Sequence, residues 1–201
     1  MALIAQPLSR FNLQDTQILL LQPAVTEADI YVQMLTGFGA KSLHRALTQA
    51  EAMEMLAQTV MDLIIVDARL PDGEGDGYDF VSALRRAPRH PNSFAPVLIL
   101  AGHTPRSKVE RGRDCGAHFV IGKPASPSVL LERILWIARE TRPFVECAAY
   151  VGPERRFKYE PPPDGVWRRQ GDLSMEVGSA LEPNLDQSEV DQLLQPKKVS
   201  S

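Results

Sequence analysis

The chain has 201 residues, enough for one domain of ordinary size with roughly sixty residues to spare. Its 44% hydrophobic and 23% charged residues are typical of a soluble globular protein, and a net charge of −3 supplies no electrostatic pull towards DNA or an anionic membrane. Nucleic acid and membrane are therefore not expected partners. No window approaches the roughly 18 apolar residues a span requires, and the two cysteines, Cys115 and Cys147, stand in neither a disulfide framework nor a zinc spacing, so a reducing cytoplasm is expected.

Residues 1–15 read as an N-terminal extension, and from 16 to 141 short apolar runs alternate with stretches of helical period. The first run, residues 17–22 (QILLLQ), predicts a strand, and Thr26 with Glu27 opens a helix that runs to about Leu35 and stops at Gly37 and Gly39. A second strand at 42–45 precedes a helix that Thr48 can cap, with Glu51 three residues on in capping-box spacing. The third strand, 63–67 (LIIVD), is continuously apolar up to its terminal Asp67, as expected of a central strand covered on both faces. A helix from about Tyr78 to Arg86 ends before Pro88, and the fourth strand follows at 96–101 (PVLILA). A helix after Pro105, a strand at 119–122 and a helix after Ser126-Pro127 complete the set. Five strands alternating with five helices predict a flavodoxin-like, doubly wound α/β fold with a parallel sheet in the order 2-1-3-4-5.

Beyond Arg142 the texture changes. Pro143, Pro153, Pro161 to Pro163, Gly165 and Gly171 break each candidate element, so residues 142–201 read as a Pro-rich, largely disordered tail. Arg155, Arg156, Lys158, Arg168 and Arg169 lie in its first half, while residues 172–195 carry six acids and no base. One amphipathic stretch, LDQSEVDQLL, predicts a short helix at 188–194 capped by Ser188, with Val190, Leu193 and Leu194 on one side. A helix so short is marginal alone and needs a surface to dock on.

In an open parallel sheet, chemistry gathers at the carboxyl ends of the strands. Here those ends present Gln22-Pro23, Asp67, Ala101-Gly102 and Lys123-Pro124. A carboxylate facing an ammonium across such a crevice is a nucleophile beside an electrostatic clamp, an arrangement suited to phosphoryl transfer; the structural alternative is that Asp67 merely ends a strand and Lys123 is a solvated turn residue. Gly116 to Lys123 lacks the spacing and hydroxyl of a phosphate loop, the four histidines have no metal spacing, and DGEGDGYDF lacks the register of a calcium loop. No catalytic triad or cofactor fingerprint is present, so no enzyme activity is expected.

Asp67 closing the third strand and opening DARLP, Asp76-Gly77 beyond it, the run GHTPRSKVERGRDCGA and a Gly-Lys-Pro closing the fifth strand together resemble the receiver domain of response regulators, over about residues 16–141. The continuation TRPFVECAAYVGPERR resembles a tail found on stand-alone alphaproteobacterial receivers of the chemotaxis type, and SEVDQLL resembles the leading segment of a flagellar switch protein that docks on chemotaxis receivers. The resemblance implies that Asp67 accepts a phosphoryl group from a histidine kinase or phosphotransfer protein in a two-component phosphorelay, that Lys123 contacts the phosphate, and that a downstream protein reads the outcome. It also implies a magnesium ion at Asp67. Four positions depart from the pattern: Gln22 and Pro23 replace an acidic pair, Ala101 replaces a hydroxyl residue, and Val120 replaces a switch aromatic, with Phe119 on the opposite face of the strand. They imply a weak or absent magnesium site. They also leave open a phosphorylation-independent pseudo-receiver scaffold. Docking of the tail helix on the face of the fourth and fifth helices is a further expectation.

Overall fold

The computed structural model describes residues 13–71, 75–87, 91–139, 142–154 and 185–194. Five parallel strands, β1 (Gln17–Leu21), β2 (Ser42–Ala46), β3 (Leu63–Asp67), β4 (Val97–Ala101) and β5 (Phe119–Gly122), form one sheet in the order β2-β1-β3-β4-β5. Helices α1 (Val25–Gly37), α2 (Gln49–Gln58), α3 (Gly77–Arg86) and α4 (Arg106–Asp114) are the crossovers, and α5 (Pro127–Ala138) follows β5. This is the flavodoxin-like order expected from the sequence. Every residue of β3 and β4 is buried, because helices cover both faces, whereas the edge strand β2 is half-buried along most of its length.

Local chemistry sets the helix ends. Thr48 accepts the Glu51 amide at 3.2 Å, while the Glu51 carboxylate reaches back to the amide of Leu47 at 2.8 Å, one residue before the expected partner. Helix α1 starts earlier than Thr26: its N-cap is Ala24, which has no capping side chain, and the Gln22 side-chain oxygen accepts the Ala24 amide instead. Asp76 and Asp79 form a reciprocal capping box on α3, and both carboxylates bind Arg111 of α4, at 2.5 and 2.6 Å. Asp76 and Asp79 of the DGEGDGYDF segment therefore tie α3 to α4; residues 72–74 lie outside the described residues.

Two expectations about the ends of the domain are corrected. Leu13, assigned to the N-terminal extension, is buried in the core, and its amide bonds to Phe38. Residues 142–154, assigned to an unstructured tail, contain an antiparallel hairpin of β6 (Phe144–Cys147) and β7 (Tyr150–Pro153). The prolines flank its strands, and Pro153 needs no ladder donor at its end position. The hairpin seals a buried Arg85, which donates to the carbonyls of Gly116 (3.0 Å) and Ser93 (2.6 Å) and lies under the Phe144 ring. Gly116, at φ +90°, has its Cα against β7; a Cβ there would stand 2.4 Å from the Val151 carbonyl oxygen. The short tail helix, α6 (Gln187–Leu194), is present, but its cap is Asp186 rather than Ser188. Asp186 accepts the Glu189 amide and the Ser188 hydroxyl, while Glu189 returns a bond to the Asp186 amide. The remainder of the tail, 155–184 and 195–201, lies outside the described residues, as do the side chains of Gln192 and Leu193.

A fully buried Asn92 ties the segment after α3 to the end of α2 and to the connection that leads into β3. It donates to the carbonyls of Leu56 and Thr59, each at 2.8 Å, and accepts the Met61 amide at 2.7 Å. Removing that side chain strands three backbone groups. Asn92→Ala should lower stability by about 3 kcal/mol or more, read as a fall in the urea midpoint at unchanged slope.

His118 is similarly enclosed, accepting the Val97 amide through Nδ1 at 3.1 Å. Burial, with the charges of Arg85 and Arg142 nearby, depresses its pKa from 6.5 to about 3. A depressed folded pKa means that stability is intact above pH 6.5 and is lost as pH falls towards 3, because only the unfolded chain takes the proton in that window. The expected slope is up to about 1.4 kcal/mol per pH unit, and His118→Gln should flatten it in denaturant titrations between pH 6.5 and 4.

Candidate functional site

The carboxyl ends of β1, β3 and β5 converge on one charged cluster. β3 delivers Asp67, which is only 4% exposed, and the turn after β5 delivers Lys123, whose amide is held by the Ala101 carbonyl at 2.8 Å. The Lys123 ammonium donates to Asp67 Oδ2 and also to Glu27 Oε2. Asp67 Oδ1 accepts the Arg69 amide at 2.7 Å. Gln22, 1% exposed, completes the cluster by donating through Nε2 to Glu27 at 3.1 Å.

Burial acts to lower the Lys123 pKa, but the bonds to Asp67 and Glu27 outweigh it, and the net shift is upward from 10.5. Lys123 is therefore an ammonium throughout the neutral range. Glu27 escaped the sequence reading. Its signal was its place in the first turn of the helix that follows β1, which puts an acid at the same sheet edge and at the positive end of the helix dipole.

The four departing positions are distributed unevenly. Gln22 is built into the cluster, and Pro23 is half-buried beside it in sequence. Ala101 is buried at the end of β4. Thr104, the nearest hydroxyl in the following loop, donates to the carbonyl of Leu185 at 3.0 Å. Val120 is fully buried against α4, where a Cβ on Gly112 would meet its Cγ2 at 2.3 Å, and Phe119 points the other way, edge-on to Trp136 of α5 with centroids 4.6 Å apart.

Magnesium requires near-octahedral oxygen donors. The carboxylates here, Asp67 and Glu27, are both drawn to one ammonium, and the Gln22 carbonyl oxygen is bonded to the Ala24 amide. Among the described residues no group of three or more His, Cys, Asp and Glu is placed to hold a metal ion. The donor set as arranged does not fit magnesium, because Lys123 occupies the position of the countercharge.

Together, the doubly wound sheet and the Asp–Lys pair at its carboxyl edge define a CheY-like receiver domain. The profile of the response regulator receiver domain matches residues 18–135, and the chain belongs to that family. It is 32% identical over 102 residues to the transcriptional regulatory protein PdtaR of Mycobacterium tuberculosis, covering 51% of this chain and 46% of that protein. It is 34% identical over 97 residues to the KDP operon transcriptional regulatory protein KdpE of Escherichia coli, covering 48% and 37%. The chain thus spans about half the length, or less, of these curated relatives. Among solved structures, a putative response regulator of Chloroflexus aurantiacus aligns with a TM-score of 0.56 at 26% identity, covering 62% of this chain and 98% of that one. The chemotaxis response regulator CheY4 of Vibrio cholerae shares the fold with a TM-score of 0.55 at 24% identity, covering 61% and 98%. No helix of the described residues is long and apolar enough to cross a membrane.

The buried pair makes Lys123 a stability determinant as well. A raised folded pKa means that its contribution is complete below pH 10.5 and is lost as pH rises through the higher folded value. Lys123→Met, which leaves the buried Asp67 carboxylate without its countercharge, should cost about 3 kcal/mol or more. The double variant with Asp67→Asn should recover most of that loss in urea titrations, and the alkaline loss of stability should be smaller in both.

Proposed function

We propose that this chain is a two-component response regulator in which Asp67 accepts a phosphoryl group from a histidine kinase or a phosphotransfer protein, and whose output runs through protein contacts. The observation that carries this reading is the buried Asp67 carboxylate at the end of β3, bonded to Lys123 from the end of β5. Receiver domains generally signal rather than catalyse on a separate substrate, and they interact with histidine kinases or phosphotransfer proteins. In the transfer, an Asp67 oxygen attacks phosphorus as the bond to the donor histidine nitrogen breaks, and the positive charge of Lys123 offsets the charge gathered on the phosphoryl oxygens. The Arg69 amide holds the other carboxylate oxygen, which fixes the side chain for attack.

A second reading is favoured by particular residues. With Gln22 and Pro23 after β1, Ala101 after β4 and Val120 on β5, the chain lacks an acidic pair, a hydroxyl and an aromatic at the positions that bind and sense the group in the family pattern. Lys123 is already satisfied by two carboxylates. On that reading the protein is a phosphorylation-independent scaffold with the resting pair standing in for the bound arrangement.

Incubation with phosphoramidate, with and without magnesium, followed by intact mass spectrometry separates the two. A slow gain of about 80 Da, absent in Asp67→Asn and little changed by magnesium, is expected. Absence of any gain over hours would establish the scaffold reading in its place. A rapid gain that requires magnesium would show that the cluster rearranges to bind the ion.

A further inference from the structure

Two donors at the carboxyl edge of the sheet share one acceptor. Gln22 Nε2, just beyond β1, donates to Glu27 Oε2 at 3.1 Å, and the Lys123 ammonium donates to the same oxygen. Both donors are anchored independently of Glu27. The Gln22 side-chain oxygen accepts the Ala24 amide at 3.2 Å, and the Lys123 amide donates to the Ala101 carbonyl at 2.8 Å. They are also enclosed, Gln22 at 1% exposure and the Lys123 side chain at 17%, whereas 46% of the Glu27 side chain faces solvent. The acceptor is the movable member of the group.

With Glu27 in place, the cluster sets two carboxylates against one ammonium, and the excess negative charge opposes an incoming phosphoryl group. With Glu27 turned to solvent, Asp67 and Lys123 balance. A half-exposed carboxylate gives up little by leaving, because water replaces its bonds. The enclosed Gln22 amide hydrogen does lose by it, since a buried donor without an acceptor is unfavourable. An anion that enters as Glu27 leaves restores both bonds.

We infer that Glu27 is a resident carboxylate that occupies the anion position of the site, and that Gln22 and Lys123 form a two-donor pocket for phosphoryl oxygens, without a metal ion, when Glu27 swings out. Glu27 is then a brake on modification, and Gln22 is a phosphoryl-binding residue. The transfer part of the inference rests on the reading of Asp67 as phosphoacceptor; the anion-binding part does not. With phosphoramidate, an Asp67 oxygen bonds to phosphorus as the phosphorus–nitrogen bond breaks, and the nitrogen, already protonated in the reagent, leaves as ammonia.

Two measurements on the full chain test it. The first is the rate of the gain of about 80 Da from phosphoramidate without magnesium. Glu27→Gln keeps a side-chain oxygen for both donors but removes the charge, and it should gain mass about tenfold faster than the wild type. Adding Gln22→Leu should cancel that acceleration. A merely structural Glu27 would give the reverse, a less stable variant modified no faster. The second measurement titrates inorganic phosphate at constant ionic strength and follows the Gln22 side-chain amide by NMR. That amide should shift at about tenfold lower phosphate in Glu27→Gln than in the wild type. Circular dichroism establishes that each variant is folded, and Glu27→Ala, which removes the acceptor altogether, reads both quantities by a second route. A phosphate response in the Glu27 variants with no mass gain in any chain would sustain the pocket while removing Asp67 as acceptor. Glu27 variants that neither gain mass faster nor move the Gln22 amide with phosphate would overturn the inference. So would a faster gain that Gln22→Leu leaves untouched, since charge alone would then account for it.

Discussion

A single ammonium, that of Lys123, organises the carboxyl edge of the sheet. It is enclosed between Asp67 from β3 and Glu27 from α1, and burial would favour its loss of charge if those carboxylates were absent. The two acids in turn are kept close only because the ammonium offsets their repulsion. Gln22 then has a defined task, donating to Glu27 with its amide hydrogens and accepting the Ala24 amide with its oxygen. Through these bonds the first turn of α1, the end of β3 and the turn after β5 are fixed to one another, so the same interaction that defines the candidate site also closes the top of the domain.

The sheet and its crossovers were legible because buried parallel strands leave a strong mark: LLL, LIIV and LILA can satisfy neither a solvent-facing strand nor an amphipathic helix. Asp67 and Lys123 were legible for a related reason, since each is a charged residue placed where an apolar run ends. Glu27 was not, because an acid in a first helical turn is as well explained by the helix dipole as by a site. Asn92 and Arg85 were hidden more deeply. Their roles come from backbone carbonyls of distant segments, and nothing in the types of the residues around them announces those partners.

The hairpin shows how composition misleads. Pro143 and Pro153 lowered the expectation of structure, but each lies at an end of the strand pair, where φ is compatible and no ladder amide is missing. What holds the hairpin is tertiary: the Phe144 ring over Arg85 and edge-on to Phe94, and backbone contact at Gly116 that a side chain would block. The neighbouring sequence carries only half of each contact. The tail helix was easier to read, since an alternation of acids and apolar residues at helical spacing needs no knowledge of its partner, though it starts earlier because Asp186 rather than Ser188 accepts the free amide of the first turn.

The candidate site and the face covered by α6 share a strand, and this limits how one can influence the other. The last residue of β5 and the one after it point to different places: the Lys123 side chain turns into the cluster, while the Gly122 amide just before it faces Gln187. Thr104 forms a second link, being both the nearest hydroxyl after β4 and a partner of Leu185. Among the described residues, the end of β5 and Thr104 are two links between the charge cluster and α6. A group on Asp67 changes the occupancy of the face only if it interacts differently with the docked and released states. Withdrawing the Thr104 hydroxyl from Leu185, or shifting Lys123 and with it Gly122, would satisfy that condition. If neither moves, the charge cluster serves to hold β5 in the position that α6 recognises.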